Sequence, residues 1–290
     1  MKNLIAGLMV VLAVPAASVA KTASAPLQLD VYTAPPEGFG VTSTLIAGPT
    51  EAILVDGQFR NSDAEKVADR IVASGKKLKA IFVTHAHPDH YFGTAVLRKR
   101  FPGVPVYMTA AALKEFKSTV DAKIKQWGPV YKDEIPTEVP APQKLPSKKL
   151  KIDGQIVEVV RDLQGDASGA RNSYVWVPSA SAEVAGDIVF QRTHVWLAES
   201  NPKTRKAWFK SLRKLAARRP RSVVAGHKRS VDSPDSPGAI DFTRDYIRAF
   251  EKAKASSPGA DELIAKMKHW ESDLALDDIL TFSAKAAFPK

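Results

Sequence analysis

Residues 83–90 of this chain, Val83, Thr84, His85, Ala86, His87, Pro88, Asp89 and His90, constrain it more than any other stretch. They end an apolar run from Lys79 to Val83 and are followed by Tyr91, Phe92 and Gly93. Imidazole nitrogen and carboxylate oxygen are ligands that borderline cations such as zinc accept, and a loop leaving a strand can aim alternate side chains at one point. His85 and His87 are two apart and share a face of extended backbone, whereas Asp89 and His90 follow a proline that bends the chain toward a second point. The spacing therefore predicts two adjacent metal positions. Half of the six histidines of the 290-residue chain fall inside this cluster, which argues against a polar surface loop that merely happens to contain histidine.

The N-terminus predicts export. Met1, Lys2 and Asn3 precede an apolar stretch from Leu4 to Ala17, and Ser18, Val19 and Ala20 stand before Lys21. A positive start, an apolar core short for a bilayer and small residues before a cut are the parts of a secretory signal peptide. Pro15 interrupts the run, so a membrane anchor is not expected. The expected organisation is a signal peptide over 1–20 and a single domain over 21–290, delivered to a bacterial periplasm or the medium. Cysteine is absent, which excludes disulfides and a lipid-anchored N-terminus. With 44% hydrophobic and 25% charged residues, the composition is that of an ordinary globular protein. The formal charge of +11 loses one unit with Lys2 and favours anionic neighbours without choosing among them. In its densest basic stretch, Lys203 to Arg221, Trp208, Leu212 and Leu215 recur at helical spacing, so the charges read as the wet face of an amphipathic helix.

Along the chain, an Ala-, Ser- and Pro-rich linker precedes a hairpin of Val41 to Ala47 and Ala52 to Asp56. A helix capped by Ser62 and Glu65 and ended by Gly75 leads to the strand that carries the histidines. A helix from Gly93 to Arg100, a strand from Val104 to Thr109 and a helix from Ala110 to Trp127 continue a β-α-β-α order. Gly128 to Ser147 holds five prolines and reads as a loop or lid. Strands are expected at Lys149 to Ile152, Gln155 to Val160, Ser173 to Val177, Glu183 to Val189 and Ser222 to Ala225, with helices over Ala239 to Ser256 and Asp261 to Trp270. Three strand ends offer further ligands, Gly165-Asp166, Gly186-Asp187 and Gly226-His227, each with a glycine that lets the backbone turn and leaves room beside a metal.

With those strand ends placed, the chain from about Val41 to His227 resembles the metallo-β-lactamase fold superfamily of metal-dependent hydrolases. The resemblance implies an α/β fold, a four-layer αβ/βα sandwich. It also implies that Asp56 braces the histidine loop, that Asp187 bridges two divalent metal ions and that His227 completes the second. The first ion would be held by His85, His87 and Asp166, the second by Asp89, His90 and His227. One position departs from the family pattern, since Asp166 stands where a third histidine is usual. Together with Asp89, Asp187 and a bridging hydroxide it adds an anion to the site, which weakens its Lewis acidity. Zinc is the expected metal, and a harder oxygen ligand shifts preference toward manganese or iron.

The implied activity is hydrolysis of a small ester, lactone, thioester or amide, with hydroxide held by the metals attacking the carbonyl carbon and Asp89 managing the proton. His194 is expected near the mouth of the site as a substrate contact, or as a satisfied structural histidine; Tyr91, Asn172 and Tyr174 are candidate oxyanion groups, and His269 is expected to be structural. The bridging aspartate resembles lactonase- and glyoxalase-type hydrolases, which leaves β-lactam hydrolysis as the alternative, alongside a catalytically weak metal-binding relative. The expected partner is a small molecule. The export signal and the lack of an inserted module argue against nucleic acid.

Overall fold

Short apolar runs separated by turn residues pull the first half of the chain into a six-stranded sheet. Its order is β1 (Gln28–Thr33), β2 (Thr42–Ala47), β3 (Glu51–Val55), β4 (Lys77–Val83), β5 (Val106–Met108) and β6 (Gln143–Lys144), antiparallel as far as β3 and parallel beyond it. Helices α1 (Asn61–Ala73), α2 (Pro88–Tyr91), α3 (Thr94–Arg100) and α4 (Ala110–Tyr131) lie between these strands in sequence. Val67, Ile71, Leu97 and Phe116 of these helices pack with Leu54, Ile81 and Val83 on the sheet's outer face. The computed structural model describes residues 25–289, so the expected signal peptide lies outside the described residues.

The second half builds a sheet from β7 (Lys149–Ile152), β8 (Gln155–Leu163), β9 (Asn172–Val177), β10 (Ala182–Val184) and β12 (Ser222–Val224), in the order β12-β10-β9-β8-β7. Two short strands, β11 (Phe190–Gln191) and β13 (His227–Lys228), pair in parallel beside it. Ile53, Val55 and Phe82 of the first sheet share an apolar layer with Val157, Val175 and Val184 of the second. Helices α5 (Pro202–Ala216), α6 (Gly238–Ala255), α7 (Ala260–Trp270) and α8 (Asp277–Ala287) cover the far face, where Trp208, Leu212 and Leu215 meet Tyr246, Phe250 and Leu280. The result is helix, sheet, sheet, helix, the four-layer sandwich anticipated from the sequence. Among the described residues no helix is long and apolar enough to cross a membrane.

Local departures from expectation have physical causes. Ser62 caps nothing: α1 starts earlier, at Asn61, and Ser62 Oγ donates to Glu134 Oε2 at 2.5 Å. The helix expected to stop at Trp127 runs on to Tyr131 through Pro129, because Trp127 and Tyr131, one turn apart, both pack on Phe59. Residues 183–189 do not form one strand. The ladder ends at Val184, and Gly186–Ile188 turn as a 3-10 helix that swings Asp187 out of the sheet. The basic helix α5 behaves as expected, with Lys203, Lys206, Lys210, Arg213 and Lys214 exposed. Its exception is buried Arg205, which donates to Glu251 at 3.1 Å.

One buried acid stands apart from the strand ends. Glu183 of β10 is fully buried, and neither carboxylate oxygen has a hydrogen-bond partner. Burial raises its pKa from 4.5 to about 8, against the pull of Arg218. The folded state therefore keeps this proton up to about pH 8 while the unfolded chain loses it near 4.5. Its contribution to stability is complete below that lower value and is lost as pH rises toward 8. Glu183→Gln should gain thermal stability relative to wild type between pH 6 and pH 9, measured as the difference in Tm. A difference independent of pH contradicts the assignment.

Candidate metal centre

Every candidate ligand emerges where a strand ends, at one edge of the two packed sheets. From the first sheet come Asp56 after β3 and His85, His87, Asp89 and His90 after β4. From the second half come Asp166 after β8, Asp187 after β10 and His227 after β12. Two groups of donors form, His85, His87, Asp166 and Asp187 in one and Asp89, His90, Asp187 and His227 in the other, each with its donor atoms within 4.8 Å of one another. Asp187 belongs to both. All seven residues named from the sequence are thus brought together.

The ring orientations are set from behind. Asp56 accepts from Thr84 N at 2.8 Å and from Thr84 Oγ1 at 2.9 Å, and its Oδ2 lies 2.9 Å from His90 Nδ1. His90 Nδ1 therefore carries the proton, and Nε2 turns toward Asp187 Oδ1 at 3.1 Å. Thr84 already donates its hydroxyl proton to Asp56, so it accepts from His85 Nδ1 at 3.0 Å and leaves His85 Nε2 bare. His227 Nδ1 donates to the Phe39 carbonyl at 2.7 Å, with Nε2 3.0 Å from Asp187 Oδ2 and 3.3 Å from Asp89 Oδ2. His87 is turned the other way, with Nδ1 2.8 Å from Asp166 Oδ2 and Nε2 3.4 Å from Glu199 Oε1. Asn172 Nδ2 donates to Asp166 Oδ1 at 2.9 Å and fixes that carboxylate.

Glycine matters at all three strand ends: at Gly165 a Cβ would press on Asn172 at 2.7 Å and on the Asp187 carbonyl oxygen at 2.8 Å. Gly186 has φ +51°, and a Cβ there would press on Thr84 at 2.8 Å. A side chain at Gly226 would collide with the Asp187 carboxylate, so the room it leaves is taken by a ligand.

The donor set fits divalent cations. His85 Nε2 is buried without a hydrogen-bond partner, and His90 Nε2 and His87 Nδ1 press on Asp187 Oδ1 and Asp166 Oδ2 at 3.1 and 2.8 Å, so the buried donor atoms converge on shared points that an ion fits. The electrostatics agree. Burial opposes charge on His227, yet Asp187 and Asp89 outweigh it and lift its pKa to about 10. Burial pushes Asp166 up to about 7 despite His87, whereas His227, His90 and His85 overcome burial and hold Asp187 well below the usual carboxylate range. Carboxylates and imidazoles crowded this closely are neutralised by one another or by metal.

Other candidates fall elsewhere. His194 lines the cleft, but Nδ1 sits 2.9 Å from Tyr246 Oη and Nε2 3.4 Å from Asp277 Oδ1, so it ties α6 to the start of α8. Tyr91 is buried against Phe92 and Phe116, Tyr174 accepts from Arg218 at 2.9 Å on the far face of the second sheet, and Asn172 is taken up by Asp166 and Gly165 N, so none of the three lines the cleft as an oxyanion group. His269 is exposed at the end of α7. Glu199, behind His87, carries no motif and was invisible in the sequence. Burial works against its charge, but His87 brings its pKa down to about 2.

A family model described as the metallo-beta-lactamase superfamily matches residues 36–227. No curated protein matches the chain. Among solved structures, a metallo-beta-lactamase family protein from Thermus thermophilus is 19% identical with a TM-score of 0.62, covering 90% of this chain and 91% of its own. A metallo-beta-lactamase from Pontibacter korlensis is 18% identical with a TM-score of 0.57, covering 79% of this chain and 97% of its own. The DIM-1 metallo-beta-lactamase exposed to ceftazidime is 18% identical with a TM-score of 0.57, covering 78% and 98%. These likenesses concern the fold.

Proposed function

The chain belongs to the metallo-beta-lactamase superfamily, and from that premise we propose that it is a hydrolase with two divalent cations, acting on the carbonyl of a small ester, lactone, thioester or amide. The observation that carries this reading is the shared carboxylate of Asp187, which faces both ligand groups. His85, His87 and Asp166 would hold one ion, Asp89, His90 and His227 the other, with Asp187 between them; zinc is the first choice. Bound there, the ions would supply Lewis acidity, acidifying water and polarising a carbonyl oxygen.

The protein's own groups do the rest. Asp89 retains 15% side-chain exposure at the edge of the cluster, and its Oδ2 is positioned to take the proton of an attacking water and pass it to the leaving group. Asp56, the Phe39 carbonyl and Thr84 hold three histidines in one tautomer, so no reorganisation is needed when substrate arrives. Glu199 Oε1 faces His87 Nε2 from 3.4 Å on the side away from Asp166. His194, held between Tyr246 and Asp277, positions the substrate-facing wall. We assign the site of action to the bacterial periplasm or medium, on the strength of the N-terminal pattern.

A panel of esters, lactones, thioesters, amides, β-lactams and phosphodiesters assayed with zinc- and manganese-loaded protein tests this reading. Turnover of a carbonyl substrate, lost on chelation and restored by metal, is expected. Faster turnover of β-lactams than of every ester and lactone, or metal binding without turnover on any of these substrates, contradicts it.

A further inference from the structure

Next to the ligands lies a cleft of about 160 Å³ whose walls come from two helices. On one side Trp127 of α4 packs edge-on against Phe39 and Phe59, with ring centroids 5.8 and 5.6 Å away. On the other stand Ile279 and Phe282 of α8, with Trp196 6.1 Å from Phe282. The apolar lining reaches the metal ligands themselves, because Phe190 stacks on the His227 ring at 5.2 Å and the Phe39 carbonyl holds that ring's Nδ1. Phe282 is 51% exposed at this opening, a large apolar surface left for something to cover.

The α8 wall is preformed. His194 N donates to the Ala275 carbonyl at 2.9 Å, Leu197 N to Ser283 Oγ at 2.9 Å, and Arg192 to Glu271 at 2.9 Å, so the segment before α5 and the end of the chain are laced together. A wall already in place pays little ordering cost when a ligand arrives. It also lies beyond residue 227, where the match to the family model ends.

We propose that this cleft is an acyl-group subsite: the substrate's carbonyl carries an alkyl chain of medium length or an aromatic ring, seated between Trp127 and the Ile279–Phe282 face of α8. The proposal rests on the hydrolase reading for the reaction at the carbonyl, but its binding side can be measured separately. Hydrolysis would release a carboxylate that keeps the same arm, so simple carboxylates are the probes.

Calorimetric titration of metal-loaded protein with acetate, butyrate, hexanoate and phenylacetate gives the test. A fully buried methylene is worth about fourfold in affinity, so even partial burial should favour hexanoate over acetate by more than about tenfold. Phe282→Ala and Ile279→Ala should each weaken hexanoate and phenylacetate by about fivefold and leave acetate and metal content unchanged. Equal affinities along the series, or a preference that survives both substitutions, overturns the subsite. Parallel assays of acetyl and hexanoyl esters separate the two readings. Chain-length-dependent binding without turnover of any ester supports the subsite and removes the reaction. Turnover of both esters with flat binding removes the subsite alone.

Discussion

Asp187→Ala is expected to lower kcat/KM by more than about a thousandfold, beyond the loss that follows removal of a single oriented electrostatic donor. The reason is geometric. Asp187 Oδ1 is 3.1 Å from His90 Nε2 and Oδ2 is 3.0 Å from His227 Nε2, while His85 Nε2 lies 3.7 Å away on the other side. No other carboxylate in the cluster serves both ligand groups. Its removal would therefore take a ligand from each proposed ion and leave Asp89 as the carboxylate facing His90 Nε2 and His227 Nε2. Kinetics on a variant shown by circular dichroism to be folded provide the measurement. Near-normal turnover would mean that the two ligand groups are not used together.

The second large effect is at Asp56, which touches no ligand atom of the site and yet positions it. Its two oxygens receive three donors, Thr84 N, Thr84 Oγ1 and His90 Nδ1, and the residue is 2% exposed. Asp56→Asn keeps the shape, and asparagine tolerates the backbone φ of +63° found there. It replaces an acceptor with an N–H₂ group that must face one of those donors. The expected cost is about 2–3 kcal/mol of stability for an unsatisfied buried group. Metal affinity should also fall by about 10- to 100-fold, as when a partner behind a metal-binding histidine is lost. If His90 instead moves its proton from Nδ1 to Nε2, it covers the nitrogen that faces the site, and the functional outcome is the same. Chemical denaturation and a metal-competition titration read the two effects separately; a variant with wild-type values in both would show that His90 does not depend on Asp56.

The legible part of this protein is the part where chemistry forces residue types into short stretches of sequence. His85, His87, Asp89 and His90 announce themselves because one loop must supply ligands to two points. Asp166, Asp187 and His227 could be found because each follows a glycine at a strand end. What escaped notice depends on contacts between distant segments. The strand β1 hides in an Ala-, Ser- and Pro-rich stretch, since its weak alternation of Leu29 and Val31 becomes a strand only through its pairing with β2. Pro129 suggested a loop, and the packing of Trp127 and Tyr131 on Phe59 overrode it. The apolar run around Val184 suggested a strand through Val189, but a continuous strand would keep Asp187 in the sheet. Glu199 and the α8 wall had no signal at all. Their roles arise only once residues 190–200 fold back past His87 and are stitched to Ala275 and Ser283.

Asp166 joins His85, His87 and Asp187 in the first ligand group, and the proposed first ion depends on it. It is fully buried, with Oδ2 2.8 Å from His87 Nδ1 and Oδ1, which accepts from Asn172, 3.7 Å from His85 Nε2. Elemental analysis of metal per chain in the wild type beside Asp166→Ala addresses it most directly. Two ions falling toward one in the variant is the predicted result. One ion or none in the wild type, unchanged by the substitution, would contradict it.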